Sequence, residues 1–273
     1  VIAATRLAPR TALTRKPLPD RDADPSIAAL STAERATAVA VWFGRAASER
    51  RASGAFAYLA GELARAGSPA ELVALARRAV ADELRHAEIC RRVATAFAGA
   101  ELPAAPILPV TAPAYADASP ELRRVLHVIG MCCANETTGS AFLELCGVRA
   151  RGQLVNCALH ELLADEIDHA RIGWAFLASP AVSASMRAQV AAWLPRLLDD
   201  NLAAWRDRPR REITDALVAQ GCPRWDEVDA TVIAAIADLL LPGFEHAGIN
   251  TAAARTWLQA CTRAEPRVSA TAW

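Results

Sequence analysis

Two segments of the chain pair an acid with a base at the spacing of one helical turn: Asp82-Glu83-Leu84-Arg85-His86 and Asp165-Glu166-Ile167-Asp168-His169. At i and i+3 on a helix, Glu and His project from one face a turn apart, so a carboxylate oxygen and an imidazole nitrogen can meet one metal ion. With sixteen Glu and five His in 273 residues, roughly 0.3 Glu-x-x-His matches are expected by chance, and about 0.015 once a preceding Asp is required. Two occurrences are therefore a signal.

Both motifs interrupt an apolar stripe. Leu72, Leu75, Ala79, Glu83, His86, Cys90, Val93 and Phe97 recur in steps of three and four, as do Leu159, Leu162, Glu166, His169, Gly173 and Phe176. A buried carboxylate without a compensating charge costs several kcal/mol or changes its protonation, so these positions require a partner, and a metal ion is the simplest one. The bland alternative is a solvated ion pair on an exposed helix face, which the shared seam position disfavours.

A dinuclear site needs further carboxylates, which we expect as bridges from two other helices. Glu136 lies in the stripe of Leu122, Leu126, Ile129, Cys133, Ser140 and Leu143, and Glu49 lies in that of Trp42, Ala46, Ser53, Phe56 and Leu63. Glu62 points about 220° away from Glu49 by the helical period. Four Glu and two neutral His facing two divalent ions sum to zero charge, which an apolar interior tolerates.

The elements that must position these residues are helical almost throughout, because Ala and Leu dominate and alternating β-branched runs are scarce. The expected fold class is all-α. Residues 1–30 carry Pro9, Pro17, Pro19 and Pro25 and are expected as an extended arm that stops where Ser31 caps a helix. Helices are predicted over about 32–66, 69–98, 120–147 and 152–178. Gly67-Ser68-Pro69 breaks the first pair, and the stretch 99–119, with four prolines, makes a long crossover. Two hairpins joined by one crossover bring Glu49, Glu83, Glu136 and Glu166 to mid-bundle, since Glu49 and Glu83 straddle the break near 67 and Glu136 and Glu166 that near 150. Further helical runs, at about 183–206, 211–220, 225–241 and 250–264, form a C-terminal appendage over 181–273 that packs on the bundle.

Composition excludes other classes. Thirty basic residues balance thirty acidic ones and the net charge is zero, which gives no electrostatic footprint for nucleic acid or an anionic membrane. Apolar stretches are interrupted well short of the roughly 20 residues of a membrane span. Seven cysteines, two of them adjacent, do not make a disulfide framework, so a cytoplasmic protein is expected.

Over about residues 32–178, within an expected bundle domain of 31–180, the arrangement resembles the ferritin-like di-iron carboxylate superfamily, whose four-helix bundle carries one Glu on each of two helices and Glu-x-x-His on each of the other two. Asp82-Glu83-Leu84-Arg85-His86 is similar to the motif of bacterial hydrocarbon hydroxylases and acyl-carrier desaturases, in which Asp and Arg surround the histidines. The resemblance implies that Asp82, Asp165 and Arg85 orient the imidazoles, and the second motif departs from it by placing Asp168 where Arg would stand, with Arg171 nearby. It further implies two Fe ions, or Mn and Fe, held by Glu49, Glu83, His86, Glu136, Glu166 and His169. O2 would be the co-substrate, a reductase or ferredoxin the electron donor, and a small organic molecule, free or carrier-bound, the substrate.

Within that superfamily a second Glu-x-x-His favours oxygen chemistry over iron storage, and the absence of Cys-x-x-Cys disfavours the rubrerythrin-like peroxidases. Cys90 stands where ribonucleotide reductase small subunits carry a radical tyrosine. Arylamine N-oxygenases have an extra histidine where this chain has Leu162, with His160 two residues away and His246 in the tail. N-oxygenation, hydroxylation and desaturation are the open outcomes. Cys90, Cys133, Gly139, Ser140 and Gly173 are the candidate pocket residues, small enough to leave room for O2 and substrate. The rival expectations are a ferroxidase or peroxidase without an organic substrate and a metal-free helical interaction protein. A homodimer is a further expectation.

Overall fold

The computed structural model describes residues 18–19, 24–110 and 112–263, and all its regular structure is helical. A short helix α1 (Pro25–Ala28) precedes four long helical runs: α2 (Thr32–Arg65), α3 (Ala70–Ala98), a composite of α4 (Pro120–Val128), a π segment (Ile129–Asn135) and α5 (Glu136–Arg149), and α6 (Gln153–Ala178). Then follow α7 (Ala184–Arg206), α8 (Asp215–Val218), α9 (Trp225–Ala235), a second π segment (Ile236–Leu240), α10 (Leu241–His246) and α11 (Ala252–Arg263).

The boundaries follow local chemistry. Ser31 starts α2 with a complete capping box, accepting a hydrogen bond from the Glu34 amide at 3.2 Å while the Glu34 carboxylate accepts from the Ser31 amide at 2.9 Å. Ser119 caps α4 ahead of Pro120 at its first turn. Gly67 and Gly99, at φ 68° and 74°, close α2 and α3 in the left-handed conformation glycine adopts at no steric cost.

Short turns make α2 and α3 one hairpin and the α4–α5 run and α6 another, and the two associate chiefly through α3 against α6. The crossover 99–119 is held down by Ala105, Tyr115 and Ala118, all buried. Beyond α6, α7 packs on α4 and the first π segment, α9 on α5, and α11 on α7. One hydrophobic cluster therefore runs from Trp42 and Phe176 through Leu194 and Trp205 to Phe244. Among the described residues no helix is long and apolar enough to cross a membrane.

Three expectations need correction. The described end of the N-terminal arm is not extended: Leu18, Ile27 and Leu30 are buried, and residues 25–28 are helical. The cause is Asp24, whose carboxylate accepts from the Ser26 amide at 3.2 Å and from the Leu154 amide, in the first turn of α6, at 3.1 Å. Gly152 has no side chain to cap α6, so Asp24 supplies the acceptor that the helix start requires. A Cβ at Gly152 would meet that carboxylate at 2.9 Å. The rest of the arm, residues 1–17 and 20–23, lies outside the described residues. The helix expected over 120–147 is also not uniform, because its middle is a π segment. Lastly, the run expected over 211–220 shrinks to α8.

Candidate metal centre

Each hairpin contributes one lone glutamate and one Glu-x-x-His pair. Glu49 comes from α2, Glu83 and His86 from α3, Glu136 from the first turn of α5, and Glu166 and His169 from α6. Glu83, His86, Glu136, Glu166 and His169 are buried, the imidazole of His86 completely, whereas Glu49 is half-buried. Their donor atoms fall into two groups, Glu49, Glu83, His86 and Glu166, and Glu83, Glu136, Glu166 and His169, within each of which all atoms lie within 4.8 Å of one another. The buried cluster of Glu83, Glu166, His86 and His169 could hold a metal ion.

The two groups share Glu83 and Glu166, which reverses one expectation. The carboxylates common to both groups come from the Glu-x-x-His motifs, while Glu49 and Glu136 each belong to one group. The reason is helix placement: α3 and α6 face one another, so the two motif glutamates meet in the middle and the lone glutamates approach from either end.

The imidazoles are aimed. Nδ1 of His86 lies 3.3 Å from Glu166 and 3.6 Å from Glu83, and Nδ1 of His169 lies 3.0 Å from Glu83 and 3.2 Å from Glu166. Their other nitrogens point away, Nε2 of His86 to Asp165 at 3.1 Å and Nε2 of His169 to Asp82 at 3.8 Å. The support is thus crosswise, the aspartate of each motif backing the histidine of the other. Phe56 packs on the His169 ring with centroids 4.9 Å apart.

Around the aspartates, arginines of α3 serve both helices. Arg85 on α3 binds Asp165 on α6. The corresponding role beside Asp82 falls to Arg78, 3.6 Å from Asp82 and 3.3 Å from Asp168. Arg171 pairs with Asp168 at 2.8 Å. Arg78 could have been sought in the sequence, since it precedes Asp82 by one helical turn.

The electrostatics are those of a crowded buried cluster that favours protons or cations. Burial drives the carboxyls of Glu49 and Glu136 well above the usual carboxylate range, reinforced by Glu83 and Glu166 beside Glu49 and by Glu166 beside Glu136. Burial opposes charge on His169 and His86 too, yet the facing carboxylates win and hold both imidazoles above their ordinary value, His169 well above. Against its own burial, hydrogen bonds from His169 and His86 hold Glu166 well below the carboxylate range. Both oxygens of Glu83, Nδ1 of His86 and Nε2 of His169 are buried without an aligned hydrogen bond. Such groups are rare in folded proteins and require an explanation, and this donor set of carboxylate oxygens and imidazole nitrogens suits first-row divalent metals.

A cavity of about 830 Å³ opens onto this cluster, lined on its floor by Glu49, Glu83, Glu136 and Glu166 and on its walls by residues of α2, the crossover, α5, the end of α7 and α9. Neither histidine lines it; both lie behind the carboxylates. Of the candidate pocket residues Gly139 lines the cavity, and Cys90, Cys133, Ser140 and Gly173 do not. Gly173 serves close packing instead: a Cβ there would meet Cys133 Sγ at 2.6 Å and the Cys133 amide nitrogen at 2.8 Å. Cys90 and Cys133 are fully buried, and burial pushes both thiols well up. Asn135, at the end of the π segment, lines the cavity and donates to Glu136 at 3.2 Å.

No protein-family model, curated protein or solved structure matches the chain.

Proposed function

We propose that this chain is an O2-dependent oxidoreductase of the ferritin-like di-iron type, with a two-metal centre at the waist of its four long helices. The observation that carries the reading is the pair of four-residue groups sharing Glu83 and Glu166. Glu49 and His86 would complete one metal position, Glu136 and His169 the other. Two divalent ions there would neutralise four carboxylates and satisfy the orphaned oxygens of Glu83. When bound, a ferrous pair supplies the electrons and the Lewis acidity for O2 reduction that amino-acid side chains lack.

The chain's own residues would orient and shield. Asp165 would accept a hydrogen bond from Nε2 of His86, and Asp82, 3.8 Å from Nε2 of His169, would face that nitrogen, so that each Nδ1 is turned toward a cation. Phe56 keeps His169 from turning. The half-buried Glu49 stands at the border between cluster and cavity, where an incoming molecule arrives. That cavity supports an organic substrate over iron or peroxide alone, since its size falls in the range of small-molecule sites, and a reductase or ferredoxin would then provide electrons.

The test is anaerobic reconstitution with Fe(II), followed by metal analysis and O2-uptake measurement. About two metal ions per chain are expected, and less than about 0.2 would defeat the reading. Glu83→Ala and His169→Ala are each expected to abolish metal binding and O2 consumption. Unchanged uptake in both variants would reject the site.

A further inference from the structure

The walls of the cavity have a charge that the carboxylate cluster does not explain. Four arginines line it, Arg45, Arg51, Arg208 and Arg211, and apart from the cluster's own glutamates Asp207 is the one acidic residue on the lining. Among the described residues none of the four makes a salt bridge, although most arginines around the cluster's outer side do. Arg51, Arg208 and Arg211 reach solvent, whereas Arg45 is buried, and because burial disfavours charge on Glu49 and Glu136 even without metal, the floor does not cancel the positive charge of the walls.

Arg45 is the most telling of the four. It is 92% buried, sandwiched between the Trp42 and Phe142 rings at 4.5 and 5.0 Å. Its Nη2 donates to the Gly221 carbonyl at 2.7 Å and to Cys146 Sγ at 3.4 Å, but Nη1 is buried with no partner. An always-charged group in this position normally has a carboxylate or phosphate against it. Arg208, itself solvent-exposed, reaches the same Phe142 ring at 5.2 Å and is stacked on Trp205 at 3.7 Å. Desolvation of its guanidinium and the like charge of Arg45, partly offset by Glu49, lower its pKa to about 10. Two guanidinium groups held on aromatic rings and repelling one another form a ready receptor for an anion. The other walls are apolar, with Val41, Leu108, Met131, Leu143 and Ile213 among them.

We infer that the cavity binds an amphipathic organic anion, its carboxylate or phosphate between Arg45 and Arg208 and its apolar body directed at the metal cluster. This names the substrate class of the site proposed above and rests on that reading for the reaction, though not for the binding. Arg45 precedes Glu49 by one helical turn on α2, and its side chain leans back toward Trp42, so anion and carboxylates are on the order of 6–10 Å apart. The atom presented to the cluster then lies several bonds from the charged end. A free acid brings a carboxylate, and a carrier-bound acyl group brings the phosphate of its arm.

Titration of the full chain in EDTA, followed by tryptophan fluorescence, separates this from metal binding, because Trp205 and Trp225 line the cavity. Octanoate, octyl phosphate and the neutral octanamide serve as probes. At least one anion is expected to bind ten-fold or more tighter than the amide: octanoate if the substrate is a free acid, octyl phosphate if the anion is a carrier's phosphate. Arg45→Met and Arg208→Gln should each remove at least five-fold of that preference, and Arg77→Gln, on an exposed face of α3, should leave it intact. Should Arg45→Met not fold, Arg208→Gln and Arg51→Gln carry the test. Equal affinity for both anions and the amide, or a preference unchanged in the folded Arg208→Gln and Arg51→Gln variants, would overturn the inference. Anion binding by a chain that takes up no iron would instead sink the oxidoreductase reading and leave this one standing.

Discussion

At the scale of single residues the distinctive feature is exchange: the acid of each Asp-Glu-x-x-His motif serves the base of the other. Asp165 lies 3.1 Å from His86 and Asp82 3.8 Å from His169. Replacing the partner behind a metal-bound histidine typically costs 10–100-fold in metal affinity. Asp165→Asn is therefore expected to weaken the position built by Glu49 and His86, and Asp82→Asn the one built by Glu136 and His169. Two-step Co(II) titrations read by visible absorbance would check this, ideally beside Glu49→Gln and Glu136→Gln, which mark the two positions independently. Loss of the same step in both aspartate variants would contradict the crosswise pairing. The six ligand candidates were legible in the sequence because a charged residue in an apolar stripe is conspicuous at its own address. Which carboxylates are shared was not legible, because Glu49, Glu83, Glu136 and Glu166 all occupy seam positions and only the apposition of α3 and α6 separates them. Arg45 was passed over for the same reason. Its significance lies in a partnerless nitrogen and in contacts with Gly221, 176 residues away.

At the scale of elements, caps and breakers act locally and could be read directly, which is why Ser31, Gly67, Gly99 and Pro120 mark true boundaries. The π segment Ile129–Asn135 could not be read this way. Its wide turn depends on what faces it: Gly173 of α6 lies against Cys132 and Cys133, close enough that an added Cβ would fall 2.8 Å from both Cys132 Cβ and the Cys133 amide nitrogen. The segment ends on Asn135, and the next residue is Glu136, so the turn sets the direction in which that ligand points. Widened turns of this kind recur at functional sites. Gly173→Ala should therefore cost about 1–3 kcal/mol as an overpacked contact with backbone and lower the metal content through Glu136. Gly139 is a matched control on the following helix, for a Cβ there meets nothing within 4 Å, and Gly139→Ala should be neutral or add up to about 1 kcal/mol by removing helix-interior glycine. Urea unfolding and metal analysis of the two variants would decide it, and equal behaviour would show that the π segment does not need the glycine.

At the scale of the whole molecule the buried cluster couples stability to both protons and metal, and the two couplings run in opposite directions. In the metal-free chain Glu49, Glu136, His86 and His169 all have pKa values above their ordinary ones. The folded state then holds more protons than the unfolded state once pH passes the unfolded values, roughly 4.3 for Glu and 6.5 for His. The stability these groups contribute is present below those values and is lost as pH rises through the raised folded values. Glu166 and Asp82 are displaced the other way, so their contribution is complete above the usual carboxylate range and fades only as pH falls below it. Between about pH 5.5 and 8, therefore, the metal-free protein should lose stability with rising pH, by about 2 °C in Tm for each kcal/mol lost. Metal replaces those protons, and its affinity grows as they leave. At one fixed Mn(II) concentration, about 100 times its Kd at neutral pH, binding adds about 2.7 kcal/mol there, more above and less below, and Tm should rise over the same interval. Thermal unfolding by circular dichroism in EDTA and in Mn(II) at a series of pH values would show two curves that diverge with pH. Parallel curves would mean that the six ligand candidates do not exchange protons for metal, and the waist of the bundle would then be a hydrogen-bonded network with no centre in it.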